Sequence, residues 1–421
     1  MTTKSFAITK HQVYEAWKCV KANQGAAGVD GESLASFEAQ LSGNLYKLWN
    51  RMASGSYFPL PVRAVEIPKR SGGKRLLGVP TVSDRIAQTV VKQSLEALLE
   101  PIFDVDSYGY RPGKSALDAV KVTEDRCWQT DWVVEFDIKG AFDNLDHKLM
   151  MSALTKHTQC RWMLLYIQRW LEVPTQQSDG SIVARVKGTP QGGVIGPLLM
   201  NLFMHYAFDK WIRRTINCDF ARFADDAVIH CRSRIQAEWM IKELTERFAE
   251  CGLELNPDKT RIVYCCDSKR VRWKSYPNIS FTFLGFTFQP RRARRRKDGV
   301  LFTRFKAAVS NEACKRMRQR IRMWHIPRQS PGTMAEFSER YNPVLRGWLN
   351  YYGKFYPSFV LGRVFRHFDR VLALWARRKF KKLSRHKRRS QTAIDNYAKR
   401  NPGLFVHWAT MYRTDQMVGA V

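Results

Sequence analysis

The chain lacks any long apolar run. None of its 421 residues sits in a stretch approaching the ~18 consecutive apolar residues that a membrane-spanning helix needs. The most apolar segment, Val194 to Phe208, is broken by Gly196, Pro197, Asn201 and His205. Met1 to Gln12 is polar and has no apolar heart of a secretion signal. The nine cysteines follow no framework spacing and include no C-x-x-C pair, and Cys265-Cys266 has no neighbouring histidine. This argues against a secreted disulfide scaffold and a structural zinc site. A cytoplasmic protein with no membrane partner is the expectation. Acidic residues are scarce in one region only. Residues 291–421 hold 7 acidic against 32 basic side chains, a net of +25 out of +32 for the whole chain.

What is present fits a folded, multi-domain chain. Hydrophobic residues make up 44% and charged residues 26%, enough apolar surface for two or three cores. A surface this basic repels itself unless a polyanion neutralises it. The basic region also carries Trp324, Trp348, Tyr351, Tyr352, Phe355, Phe365 and Trp375, an aromatic load that a disordered tail does not have. A folded helical domain that binds nucleic acid is the reading, with most of these aromatics in its core.

Along the chain, residues 1–60 read as helical, with Tyr14, Trp17 and Val20 at helical spacing. Residues 61–80 read as a hairpin turning at Arg70-Ser71-Gly72-Gly73. Asp84 to Leu99 reads as an amphipathic helix, as do residues of about 198–213 and 234–251. Phe281 to Phe288 reads as a strand pair near a glycine. Composition shifts at Arg291, and from about residue 305 the pattern reads as helical, broken at Pro327, Pro331 and Pro343. No internal repeat is visible.

Two apolar runs end in carboxylates. Trp132 to Phe136 leads into Asp137, and Phe220 to Ala224 leads into Asp225-Asp226, the second run continuing as a tight hairpin with both acids at its tip. Carboxylates at strand ends are expensive unless a cation pairs with them. If the two strands lie side by side, the three acids make an all-oxygen site suited to Mg²⁺. The alternative is that Asp225-Asp226 is only a turn, which Asp favours.

The neighbouring residues form an ordered series. It runs through Val65-Glu66-Ile67-Pro68-Lys69, Arg75-Leu76-Leu77-Gly78-Val79-Pro80-Thr81, Ser107-Tyr108-Gly109-Tyr110-Arg111-Pro112-Gly113 and Asp137-Ile138-Lys139-Gly140-Ala141-Phe142-Asp143. It continues with Gly188-Thr189-Pro190-Gln191-Gly192-Gly193, Arg222-Phe223-Ala224-Asp225-Asp226, Gly252 to Thr260 and Phe283-Leu284-Gly285-Phe286. In this series, over about residues 12–410, the chain resembles the reverse transcriptases encoded by bacterial group II introns, the intron maturases.

The resemblance implies an α/β right-hand polymerase, fingers and palm with an antiparallel palm sheet, followed by an all-α thumb/maturase domain. It divides the chain into an N-terminal helical extension of the fingers (1–60), fingers and palm (61–290), a basic helical thumb (291–385) that includes Tyr341 to Tyr352, and a short basic DNA-binding extension (386–421). Asp137, Asp225 and Asp226 are the implied catalytic carboxylates. With the Ile138 carbonyl they hold two Mg²⁺ ions, Mn²⁺ being possible. Lys69, Arg75, Phe142, Gln191 and Lys259 are the implied dNTP-binding residues. Of these, Phe142 lies beneath the sugar and excludes a 2′-hydroxyl, and Lys259 approaches the departing phosphates as proton donor or counter-charge. Arg63, Arg111, Arg346 and Lys354 are expected to touch nucleic acid.

One residue departs from the family pattern: Phe223 stands where a tyrosine usually precedes Ala-Asp-Asp, so a hydrogen bond near the primer end is expected to be missing. The C-terminal part shows no His/Cys cluster of a homing endonuclease, so a nuclease is not expected and priming falls to a nick or replication intermediate made elsewhere. The expected partners are an RNA template, group II intron RNA, and a DNA primer or target. The alternatives are a host-adopted polymerase in DNA repair or phage defence, and an inactive RNA-binding splicing factor.

Overall fold

A computed structural model describes residues 4–68, 73–270, 276–295 and 297–417. The chain divides into two compact units. The first comprises Met1–Ser115, Val134–Ile229 and Arg234–Arg261; the second comprises Ala116–Val133, His230–Ser233 and Ile262–Val421. The strands in chain order are β1 (Val62–Pro68), β2 (Lys74–Val79), β3 (Trp132–Phe136), β4 (Thr175–Gln176), β5 (Ile182–Val183), β6 (Asp219–Phe223), β7 (Asp226–Cys231), β8 (Arg261–Tyr264), β9 (Phe281–Phe283), β10 (Phe286–Arg294) and β11 (Leu301–Val309). They form three sheets, ordered β2-β1-β4-β5, β6-β7-β3-β8 and β11-β10-β9.

In the first unit, helix Lys10–Asn23 starts at a capping box, in which Thr9 and Gln12 satisfy each other's backbone N–H groups. β1 and β2 pair antiparallel from Arg63↔Val79 to Pro68↔Lys74, and β4 lies parallel to the start of β1. The expected hairpin is therefore present, though its turn residues 69–72 lie outside the described residues. Helix Val82–Leu99 is capped by the Thr81 hydroxyl, which accepts from the Asp84 N–H. The Asp84 carboxylate is buried and accepts from Tyr57 Oη at 2.9 Å, Trp170 Nε1 at 2.7 Å and Gln88 Nε2 at 2.9 Å. Burial pushes it up to about 6 despite these three donors.

The apolar segment near residue 200 becomes helix Gly196–Met204, a π-turn at His205–Asp209, and helix Lys210–Thr215. Gly196 and every residue from Leu198 to Met204 are buried, as expected of a helix apolar on all sides. Its polar interruptions, Asn201 and His205, are buried with it.

In the second unit, Leu284 and Gly285 turn β9 into β10 with φ of 51° and 82°. β10 pairs with β11 from Phe286↔Val309 to Arg294↔Leu301. Phe281 and Phe288 stack at 4.6 Å on one face of this sheet. Five longer helices follow: Asn311–Met323, Met334–Tyr352, Arg366–Lys379, Lys387–Arg400 and Val406–Met417. Their shared core includes Ile321, Phe337, Leu345, Phe368, Trp375 and Trp408. Trp324 stacks on Tyr341 at 4.3 Å and lies 5.8 Å from Trp348, so these aromatics are packing residues as expected.

Two local expectations are corrected here. The basic stretch beginning at Arg291 is strand before it is helix: β10 runs unbroken through residue 291, and the first helix begins at Asn311. Arg291 is buried, with its guanidinium 4.9 Å from the Phe359 ring and donating to the carbonyls of Thr287 and Lys306. Pro343 sits inside helix Met334–Tyr352 and does not end it. Asn342 beside it donates to the Leu404 carbonyl at 2.8 Å and accepts from the Val406 N–H, so tertiary contacts hold the helix across the proline. Phe405 and Trp408 are fully buried in the same core, with Trp408 Nε1 donating to Asp369 Oδ1 at 2.9 Å. Ile394, Ala398, Phe405 and Trp408 thus join this part of the chain to the helical core.

Candidate active site

β6 and β7 are joined through Ala224 and Asp225, a tight turn that fixes the strands antiparallel. Ala224 takes φ 59°, and Gly109 lies so close that a Cβ there would sit 2.4 Å from the Ala224 nitrogen. The tip holds Asp225 and Asp226 together. Burial first, and then the charge of Asp137, raise Asp225 above its ordinary range, with Arg75 opposing. Burial, Asp225 and Asp137, in that order, push Asp226 up to about 6, with Lys259 opposing. The Asp226 residue is exposed on one side, and the charges of Asp225 and Asp137 add to the effect of burial. The three carboxylates expected to converge are within each other's field.

Asp137 follows β3 and is held from the far side by a second loop. Lys139 N–H donates to the Glu254 carbonyl, Asn256 N–H donates to the Asp137 carbonyl, both at 2.8 Å, and Ile138 bridges to Leu255. The Asn256 carbonyl then accepts from the Thr260 N–H and hydroxyl, closing a turn that aims Lys259 back at the site. Lys259 Nζ lies 3.1 Å from Asp137 Oδ2, and Asn256 Nδ2 lies 3.3 Å from the same oxygen. No role for Asn256 is readable from the sequence, because its partner is more than a hundred residues away.

The Gln191 turn is stapled to two other elements. Thr189 N–H donates to the Phe142 carbonyl at 2.7 Å, and Gly188 N–H donates to that of Leu145 at 2.7 Å. Gly188 must be glycine: its φ is 79°, and a Cβ would sit 2.5 Å from the Asp143 carbonyl oxygen. Gly78 N–H donates to the Gln191 carbonyl at 2.9 Å, which ties β2 to the same turn. The Gln191 side chain accepts from Arg75 Nε and donates to Asp143 Oδ2 at 3.0 Å. Arg75, Gln191 and Phe142 are thereby brought to one locus, with Asp143 as a member that sequence reasoning missed. Phe142 is half-buried. Lys69 lies outside the described residues.

The residues expected to touch nucleic acid fare differently. Arg63 lines a groove of about 640 Å³ with Leu76, Gln176 and Gln177, and its Nε is buried without a protein partner among the described residues. Arg111 is turned inward: Nε and Nη2 fork onto the Glu100 carboxylate, and Nη1 donates to the carbonyls of Asp104 and Ser107 at 2.6 Å. Its donors hold a loop, which leaves little for a phosphate. Arg346 and Lys354 are exposed in the second unit. Phe223 is half-buried beside Tyr110, ring centroids 5.9 Å apart.

Residues 67–288, more than half of the chain, match the family "Reverse transcriptase (RNA-dependent DNA polymerase)". The chain belongs to that family: it is an RNA-directed DNA polymerase of right-hand fold. Residues 314–392 match "Group II intron, maturase-specific domain". The chain is 30% identical to Protein YkfC of Escherichia coli K12 over 322 residues, covering 66% of this chain and 81% of YkfC. It is 29% identical to Group II intron-encoded protein LtrA of Lactococcus lactis over 272 residues, covering 64% of this chain and 44% of LtrA. A solved telomerase from Candida albicans, in complex with a fragment of telomeric RNA, aligns with a TM-score of 0.47 at 11% identity, over 92% of this chain and 68% of that one. No helix among the described residues is long and apolar enough to cross a membrane.

Proposed function

We propose that Asp137, Asp225 and Asp226, with the Ile138 carbonyl beside them, hold two divalent cations, Mg²⁺ before Mn²⁺, while the chain adds dNTPs to a primer 3′-hydroxyl on an RNA template. The observation that carries this is electrostatic. Burial and the charge of Asp137 raise Asp225, burial with Asp225 and Asp137 raises Asp226, and the opposing cations are Arg75 at the first and Lys259 at the second. Such a group is short of positive charge. Among the described residues no cage of three or more His, Cys, Asp or Glu stands ready for a metal. Mg²⁺ binds through one or two carboxylates and takes waters and substrate phosphates as its remaining ligands. When bound, two such ions acidify the attacking hydroxyl and stabilise the leaving pyrophosphate.

The protein's own groups then have distinct tasks. Arg75 and Lys69 supply forked and point charge to the triphosphate. Gln191, locked between Arg75 and Asp143, orients the incoming nucleotide. Phe142 closes the space a 2′-hydroxyl would need. Lys259 brings positive charge to the departing phosphates.

Proton and cation compete for the same oxygens. Above about 6 Asp226 is ionised and free to bind metal; as pH falls through that value it takes up a proton and loses the cation. The Mg²⁺ concentration giving half-maximal synthesis should rise as pH is lowered from 7.5 to 5.5, by up to ~10-fold per unit below the midpoint. Titrations of Mg²⁺ at each pH check this. A half-saturation that does not move with pH would remove the carboxylates from cation binding.

A second reading rests on the maturase-specific match at residues 314–392. The helices there carry a basic, exposed face over a closed aromatic core, and the exposed cations Arg346 and Lys354 suit phosphate contacts to group II intron RNA. Promotion of splicing, and DNA as primer or target, belong to this reading.

A further inference from the structure

Arg222 lies on β6 two residues before the catalytic hairpin turn, and its side chain is fully buried. All five of its guanidinium N–H donors are engaged. Nε and Nη2 fork onto the Asp209 carboxylate at 2.7 and 2.6 Å. The second Nη2 donor meets Ser107 Oγ at 2.8 Å. Nη1 donates to Asn201 Oδ1 at 3.0 Å and to the Ala224 carbonyl at 2.8 Å. Ala224 is the residue held at φ 59° immediately before Asp225.

The loop at Asp106 to Gly109 is already joined to β6 by backbone bonds at Arg222, and the Arg222 side chain adds the helix that carries Asn201 and Asp209. Asn201 and Asp209 are eight residues apart, which on a regular α-helix would turn them about 80° from each other. The π-turn at His205–Asp209 adds one residue to the winding and brings the pair to within roughly 20°, on one face. Asn201 Nδ2 also donates to the Gly109 carbonyl at 2.6 Å, so the loop packed against the Ala224 turn is tied to the same helix. A buried ion pair is weak evidence of a stability role, because desolvating both charges offsets most of their attraction. A fork whose spare donor grips the carbonyl of a left-handed residue has a more specific use.

We propose that Arg222, set by Asp209 and the π-turn, is a positioning residue for DNA synthesis: it holds the Ala224 turn so that Asp225 and Asp226 point together toward the divalent cations. It touches neither substrate nor cation and acts through one carbonyl. The inference rests on the reading of the carboxylates as cation ligands. Lysine at this position keeps the charge but has three donors on a single nitrogen, so it cannot serve Asp209, Asn201, Ser107 and Ala224 at once.

The test compares wild type, Arg222→Lys, Ser107→Ala and Arg213→Lys in primer extension, with Mg²⁺ titrations and thermal melts. Arg213 is the control: it forks onto Asp104, reaches Asp106 and packs on Phe220 of β6, but makes no hydrogen bond to the Ala224 turn. For Arg222→Lys, kcat should fall about 30-fold, equivalent to about 2 kcal/mol of transition-state stabilisation. Mg²⁺ half-saturation should rise several-fold while affinity for primed template stays within twofold. Arg213→Lys should melt earlier yet keep wild-type Mg²⁺ dependence. Ser107→Ala removes one partner of Nη2 and should raise Mg²⁺ half-saturation about threefold; it decides the matter if Arg222→Lys does not fold. Wild-type Mg²⁺ dependence in the folded Arg222 and Ser107 variants, or an effect that merely tracks melting as in Arg213→Lys, would overturn the proposal. Failure of the underlying reading would look different: no cation-dependent synthesis by wild type itself.

Discussion

Asp137→Asn is expected to lower dNTP incorporation on a primed RNA by on the order of 10³-fold, with primed-template affinity nearly unchanged. Asparagine is isosteric and keeps an acceptor for Asn256, so the loop pairing through Lys139 and Ile138 has no reason to open. What is lost is one full negative charge in the group of three. The site would then offer two carboxylate charges to a cation rather than three, where partial burial makes charge count for more than in water. Lys259 would at the same time lose the partner that keeps it 3.1 Å away. Rapid-quench measurement of single-nucleotide addition separates the chemical step from binding. A loss below about tenfold would show that Asp225 and Asp226 suffice alone.

The second large effect concerns the sugar. Phe142→Ala should raise ribonucleotide incorporation relative to deoxyribonucleotide by about 100-fold, equivalent to about 2.7 kcal/mol of lost discrimination. The ring is half-buried, on a short helix that begins at the left-handed Gly140. Its backbone carbonyl anchors Thr189, a bond that alanine preserves, so the Gln191 turn should stay in place and dNTP use should change little. An ordinary core phenylalanine would behave otherwise: its truncation would destabilise the fold and depress use of both sugars alike. Competition between matched dNTP and rNTP on one template distinguishes the two outcomes directly.

Much of this was legible in the sequence, and the reasons are particular. Asp137 and Asp225-Asp226 stand out because each closes an apolar strand, a place where a carboxylate needs a partner. The hairpin of β1 and β2, the β9–β10 turn at Leu284-Gly285 and helix Val82–Leu99 follow from local turn and capping chemistry. What escaped depends on tertiary partners. Arg291 reads only as the start of a basic stretch and Arg111 as a nucleic-acid contact, yet the first packs against Phe359 and the second donates to Glu100 and two carbonyls. β11 alternates basic and apolar residues in a region whose composition suggests helix, and only its pairing with β10 decides. Pro343 reads as a helix break because the Asn342 anchors to Leu404 and Val406 are some sixty residues distant. The Arg222–Asp209 fork is hidden for the same reason, since it depends on a π-turn that leaves no composition signal.

The most direct test is primer extension on an RNA template by wild type and Asp225→Asn, with dNTPs or rNTPs and with or without Mg²⁺. Synthesis by wild type that needs dNTPs and Mg²⁺ and disappears in Asp225→Asn is the predicted result. Synthesis that persists in Asp225→Asn at the wild-type rate would contradict the assignment of the acidic hairpin as the cation-binding centre.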